Sequence, residues 1–167
     1  MRVESTEKPR LVQPFEGPSA TLAKIPAVSV IIPMRNEEHH IVGCLQSLLE
    51  QTYPAEGYEL IVVDGESTDR SVELVRQLSE SRPQVRLLSN PAAIVPSSMN
   101  MGIRSARGEI IVRADAHTLY PANYIENCVH YLETTGADNV GGPVITVAAN
   151  QSLSARLVAA ILSNRFG

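Results

Sequence analysis

Apolar residues in this chain follow two rhythms in turn. Ala27-Val28-Ser29-Val30-Ile31-Ile32 and Glu59-Leu60-Ile61-Val62-Val63 are short runs with apolar residues on both faces. A strand buried on both sides in a parallel sheet has that pattern. Between them Ile41, Leu45, Leu48 and Leu49 recur at helical spacing as far as Gln51-Thr52-Tyr53-Pro54. This predicts a first helix with Asn36 as its N-cap and Glu37 and Glu38 in its first turn. Val72, Leu74, Val75 and Leu78 predict a second helix closed by Pro83, and Val85-Arg86-Leu87-Leu88 a short third strand.

Residues 89–95 read as a loop, after which Pro96 sits near the first position of a helix through Met99, Ile103 and Ala106. Gly108 stops that helix, and Glu109-Ile110-Ile111-Val112-Arg113 is a fourth strand ending at Asp115. Pro121 opens a further helix (Tyr124, Ile125, Cys128, Val129, Leu132) that Gly136 closes. A bent strand over residues 140–147, broken by Gly141-Gly142-Pro143, and a helix over 151–164 complete the pattern. Strands alternating with helices in this way predict an α/β fold with a mostly parallel sheet. Residues 1–26 carry Pro9, Pro14, Pro18 and Pro26 without periodicity and read as a flexible leader, so residues 27–167 hold the single folded domain.

Composition narrows the function classes. A formal net charge of −4 and only two Phe, five Tyr and no Trp exclude the basic, aromatic surface of a nucleic-acid binder. An acidic chain that binds a phosphate-rich ligand needs a metal ion or a few local cations to do so. Cys44 and Cys128 fall among the apolar positions of helices and read as core residues. No apolar stretch has the length of a signal sequence near the N-terminus, and the run at residues 157–162 is too short to span a bilayer. The expectation is a cytoplasmic protein, with membrane association arising only from segments beyond Gly167.

In open parallel sheets ligands bind beyond the carboxyl ends of the strands. Three polar clusters fall there: Pro33-Met34-Arg35-Asn36-Glu37, Asp64-Gly65-Glu66-Ser67-Thr68-Asp69 and Asp115-Ala116-His117. Each has a plainer reading. Asp64, Ser67 and Thr68 serve equally well as turn and cap residues for the next helix. Glu37 suits a surface acid, Asp115 a loop residue and His117 an exposed histidine, the class to which His39, His40 and His130 are assigned. No G-x-G-x-x-G follows the first strand, and no P-loop, G-x-S-x-G elbow or zinc-spaced Cys/His cluster is present.

The strand and turn from Val28 to Glu38, the Gln51-Thr52-Tyr53-Pro54 helix exit, the segment from Val62 to Asp69, Asn100-x-Gly102-x-x-x-Ala106-x-Gly108-Glu109-Ile110-Ile111 and Asp115-Ala116-His117 occur in that order. Together they resemble family 2 glycosyltransferases over about residues 28–148. The Asp-Ala-His variant, with the segment from Thr135 to Pro143, is similar to bacterial exopolysaccharide transferases of the succinoglycan type. The resemblance implies a GT-A fold that binds a nucleoside-diphosphate sugar and transfers the sugar, with inversion, to a polysaccharide or lipid-linked acceptor. By the same resemblance Pro33, Arg35 and Glu37 line the nucleotide pocket, Asp64 accepts a hydrogen bond from the base, most often uracil, and Asp115 holds the diphosphate and its Mn²⁺ or Mg²⁺. His117 stands where the family has a second acid: it is either a further metal ligand, better suited to Mn²⁺, or it leaves Asp115 as the only one. Glu66 stands where the family has Gly or Ser.

The same resemblance leaves the catalytic base unassigned in these residues. The family's acidic base pair and its Q-x-x-R-W motif are expected beyond Gly167, and Asp138 is no substitute. The donor-binding half alone is therefore expected here, the C-terminal part of the fold being absent. The competing expectation is a short, non-catalytic domain that binds nucleotide sugar or a partner. A nucleotidyltransferase is disfavoured by the lack of a Gly-rich, Lys-bearing first loop.

Overall fold

The structure is a computed structural model that describes residues 27–143. Four strands, β1 (Val28–Met34), β2 (Tyr58–Asp64), β3 (Val85–Ser89) and β4 (Ile110–Arg113), form one sheet. All pairings are parallel and the order is β3-β2-β1-β4. The helices are α1 (Ile41–Leu49), α2 (Ser71–Ser81), α3 (Val95–Ser105) and α4 (Tyr124–Thr135). The alternation read from the sequence is therefore the architecture. The strand expected at 140–147 is not formed at 140–143, and its remainder, like the helix at 151–164, lies outside the described residues. Gly167, after which the catalytic base is expected, lies outside them too. Among the described residues no helix is long and apolar enough to cross a membrane.

β1 and β2 are apolar on both faces because each face meets a different layer. Val28, Val30, Ile32 and Met34 join Leu60, Val62, Val112, the buried residues of α1, Val75 of α2 and Ile125 and Val129 of α4 in the larger core. Ile31, Ile61 and Val63 point the other way, against Met99 and Met101 of α3. Strand alternation separates the two sets. Two glycines of the motif from Asn100 to Gly108 are required by packing. A Cβ on Gly102 would collide with Cγ2 of Ile31, so its absence lets α3 lie directly on β1. A Cβ on Gly108 would stand 2.6 Å from the carbonyl oxygen of Ala27 and 2.7 Å from the nitrogen of Ser29, where the chain crosses the start of β1.

The amino ends of the strands carry a closed polar network. The Glu59 carboxylate accepts bonds from Ser29 Oγ (2.8 Å), Arg86 Nη1 (2.7 Å) and the Arg107 N–H (2.8 Å). Ser29 Oγ accepts from the Gly108 N–H, and Arg86 donates also to the carbonyl of Ser105 at the end of α3. Burial works against the Glu59 charge. The bond from Arg86, those from Arg107 and Ser29, and the Arg86 charge outweigh it and hold the carboxyl below its ordinary value.

Two local readings are corrected. Asn36 is not the N-cap of α1: its φ of 55° is left-handed, whereas an N-cap is extended. Its side chain serves a neighbouring loop instead, Oδ1 accepting the Thr68 N–H at 2.8 Å. Glu37 and Glu38 accordingly precede the helix, and the N–H groups of His40 and Ile41 both bond to the Glu37 carbonyl (2.9 Å) as the turn tightens into α1. Pro121 belongs to the turn before α4, its carbonyl accepting the Tyr124 N–H. Pro96 near the start of α3 and Gly136 at the end of α4, with φ of 65°, stand as expected.

Candidate functional site

The chain steps from β1 outward through β2 to β3 and then returns to the other side of β1 for β4. Loops leaving β1 and β4 consequently diverge at the carboxyl edge, and a crevice opens between them. A cavity of about 320 Å³ lies there. Pro33, Arg35 and Glu37 line it from the loop after β1, and Asp115 and His117 from the loop after β4. Five of the six binding residues singled out from the sequence thus share one space, although 80 positions separate Glu37 from His117.

Asp64 stands on the same rim but outside that cavity. Its carboxylate accepts the Ser67 N–H (3.2 and 3.3 Å to its two oxygens), a turn bond of the plainer kind. Together with Arg76, Ser79 and Ser89 it lines a neighbouring cleft of about 400 Å³.

The rim loops are bound to one another. The Asn36 N–H donates to Ser67 Oγ, the Glu37 N–H to Ser71 Oγ and the Glu38 N–H to Asp69. Ser71 Oγ in turn donates to Asp69, whose carboxylate also receives the Ser71 N–H. Ser67, Asp69 and Ser71 therefore act as braces that aim Arg35 and Glu37 at the cavity. Left-handed backbone among non-glycine described residues occurs at Asn36, Glu66 and Ala93, one in each loop after β1, β2 and β3. The φ of 62° at Glu66 is left-handed backbone that glycine adopts without strain.

The Asp115 loop has its own supports. Tyr120 Oη accepts the Asp115 N–H at 2.7 Å, and the Cys44 thiol donates to the Asp115 carbonyl at 3.6 Å. Burial pushes the Tyr120 phenol up to about 12, against the pull of the Asp115 N–H bond. Burial, then the charges of Asp115 and Glu37, push the Cys44 thiol up to about 12 as well. Both stay protonated at neutral pH and act as neutral hydrogen-bonding struts. Cys44 and Cys128 are free and buried, as their apolar positions implied. Gln51 and Thr52, just past the end of α1, fasten the same loop: Gln51 Nε2 donates to the Pro121 carbonyl, Gln51 Oε1 accepts the Ile125 N–H, and the Thr52 N–H bonds to Ala122.

Two lining elements escaped the sequence reading. Ala93, Ile94, Val95 and Ser98 form an apolar wall whose loop is built around buried Asn90, which bonds to Ser97, Ser98 and the Ile94 carbonyl. Arg35 reaches this wall through a 3.4 Å bond to the Ala93 carbonyl. Arg113, the last residue of β4, contacts Asp115. A buried Asn eight residues before a Ser was the available signal for the wall. Arg113 had none.

The donors present suit a hard divalent cation. Asp115 offers a carboxylate to the cavity, and His117 engages Oε1 of Glu37 through Nδ1 at 3.1 Å. Such a carboxylate–histidine pair orients the ring so that Nε2 is the nitrogen that would face a metal ion. No group of three or more His, Cys, Asp or Glu within reach of one ion occurs among the described residues. One or two protein ligands completed by phosphate oxygens is the usual way Mg²⁺ is held beside a nucleotide.

A family model described as "Glycosyl transferase family 2" matches residues 29–160. The succinoglycan biosynthesis protein ExoA of Rhizobium meliloti is 34% identical over 113 residues, which cover 66% of this chain and 34% of that protein. A Methanococcus voltae transferase, named for a dolichyl N-acetylglucosaminyl phosphate and a diacetamido-glucuronosyl group, is 27% identical over 132 residues (75% of this chain, 41% of that one). Among solved structures, a mannosyltransferase from Pyrobaculum calidifontis in complex with GDP-Man and Mn²⁺ superposes with a TM-score of 0.61 at 35% identity. The match covers 64% of this chain and 32% of that one. The chain spans about two fifths or less of the length of the curated relatives it matches.

Proposed function

The chain belongs to glycosyl transferase family 2, and from that premise we propose that residues 27–143 hold the nucleoside-diphosphate sugar of a glycosyltransferase. One observation carries the reading. The loops after β1 and β4, remote in sequence, place Arg35, Glu37, Asp115 and His117 around a single cavity at the switch point of the sheet.

The roles follow from chemistry. Arg35 faces the diphosphate. Asp115 holds the divalent cation, and His117, steadied by Glu37, is its second ligand; imidazole favours Mn²⁺ over Mg²⁺ in that place. The bound cation supplies electrostatic stabilisation of the departing nucleoside diphosphate. Asp64 extends the site toward the base, because a carboxylate has about four acceptor positions and the Ser67 N–H uses little of that capacity. The base is uracil or guanine: the resemblance favours the first, and the GDP-Man complex of the mannosyltransferase the second. Transfer goes with inversion to a polysaccharide or lipid-linked acceptor, at the cytoplasmic face of a membrane. The dolichyl phosphate in the name of the Methanococcus relative and the succinoglycan role in that of ExoA support these two acceptor classes. Donor binding is the activity assigned to the residues described.

Calorimetric titration with UDP and GDP tests the reading. Binding is expected to require Mn²⁺ or Mg²⁺, and Asp115→Asn to remove that requirement together with most of the affinity. Unchanged cation-dependent binding in Asp115→Asn overturns the assignment. His117→Ala is expected to lower the affinity with Mn²⁺ more than with Mg²⁺, and a constant ratio removes it from the ligand set. Asp64→Ala should weaken uridine or guanosine as much as the diphosphate; a loss confined to the diphosphate contradicts the base contact.

A further inference from the structure

Arg113 is the charged residue on the cavity wall to which none of these roles applies. It ends β4, and side chains alternate along extended chain, so it points to the same side as Asp115 two residues on. Its Nε and Nη2 both donate to the same Asp115 oxygen, Oδ1, at 3.3 and 3.1 Å. The two side chains are 60% and 49% exposed. An ion pair so open to water adds little to stability. Docking on one oxygen also lacks the two parallel bonds of the strong Arg–carboxylate geometry. Arg113 is thus a permanent cation, loosely seated on the very carboxylate assigned to the metal ion.

We propose that Arg113 is a diphosphate-binding residue that the divalent cation displaces from Asp115. The inference rests on the donor-site reading above. Without ligand, the guanidinium neutralises Asp115, and the wall is balanced: Arg35 and Arg113 against Glu37 and Asp115. When the cation takes the carboxylate, Arg113 loses its partner while its strand keeps it at the cavity. The guanidinium cannot shed its charge, and its planar fork suits phosphate oxygens. It therefore turns to the incoming diphosphate. Cation and nucleotide then assist each other, because each supplies the partner that the other's arrival leaves wanting.

The test uses the intact chain and two probes, Mn²⁺ alone, followed by its paramagnetic resonance signal, and UDP or GDP in saturating Mn²⁺, followed by calorimetry. In Arg113→Gln, Mn²⁺ alone should bind about two- to fivefold more tightly, the release of an exposed ion pair. Nucleotide should bind more weakly by on the order of tenfold, the loss of a charged hydrogen bond. Arg113→Lys keeps the charge without the fork, so its Mn²⁺ affinity should stay near the parent value while nucleotide affinity falls. Opposite signs in Arg113→Gln are the signature, since a residue that only supports the fold weakens both or neither. Mn²⁺ binding that is equal or weaker in Arg113→Gln overturns the exchange, as does unchanged nucleotide affinity. If the parent chain shows cation-dependent nucleotide binding that Asp115→Asn abolishes, such a result removes this inference alone. If the parent binds no nucleotide with either ion, the donor-site reading fails and the inference falls with it.

Discussion

Each end of the sheet carries an Arg–carboxylate pair, and the two are built in opposite ways. At the amino ends, Glu59 and Arg86 meet at 2.7 Å with side chains 13% and 28% exposed; Ser29 and Arg107 also donate to Glu59, and Arg86 also donates to the Ser105 carbonyl. At the carboxyl ends, Arg113 and Asp115 share one oxygen in the open. Left-handed non-glycine residues also gather only in the carboxyl-end loops among the described residues. An Arg–carboxylate pair is thus a closed joint at one end and an open, loosely held contact at the other. What differs is how many bonds the surroundings have already supplied.

The largest way to break the comparison is Glu59→Ala. Removing one partner of a mostly buried pair strands Arg86 and should cost about 3–5 kcal/mol, measured by chemical denaturation. The pH dependence has a definite sign. Glu59 is held below its ordinary value of 4.5, so its contribution is complete above that pH and is lost as pH falls through the folded-state value. The stability gap between the parent chain and Glu59→Gln should therefore close on acidification below that ordinary value of 4.5. A gap that persists in acid would show that the carboxylate charge is not what the joint uses.

Gly108→Ala attacks the same end through backbone contact, since the added Cβ meets the Ala27 carbonyl and Ser29 nitrogen. A loss of about 1–3 kcal/mol is expected. At the other end, Arg113→Gln should change unfolding free energy by less than about 1 kcal/mol, whatever it does to ligands. A loss as large as that of Glu59→Ala would erase the contrast between the two pairs. Smallest of all, Glu66→Gly relieves a left-handed side-chain residue and should stabilise by about 0.5 kcal/mol, after the greater chain entropy of glycine is set against the strain. A shift of the thermal midpoint downward would show that Glu66 makes a compensating contact.

Legibility followed the range of the forces involved. β1 and β2 were plain because burial on both faces writes an unbroken apolar run, and α2 and α4 because their buried stripes repeat at helical spacing. Asn36 misled because capping and left-handed turn residues draw on the same short polar side chains. In the site, Arg35, Glu37, Asp115 and His117 were legible as polar residues at strand ends, the place where an open sheet binds ligands. Arg113 was hidden by lying within the strand, where it read as one end of an apolar run. Cys44 and Tyr120 were hidden for another reason: each acts through a hydrogen bond to backbone that no spacing rule encodes, which leaves no local pattern.

The Gln51–Thr52 fastening has a consequence for motion. Because the N–H groups of Thr52 and Ile125 are bonded across the corner between α1 and α4, the Asp115 loop cannot swing out while α1 stays still. Opening there should be a joint event of loop, helix end and the first turn of α4, registered by amide protons of all three exchanging with solvent at a common rate. The Asp115 loop is in that sense the outermost part of a braced corner.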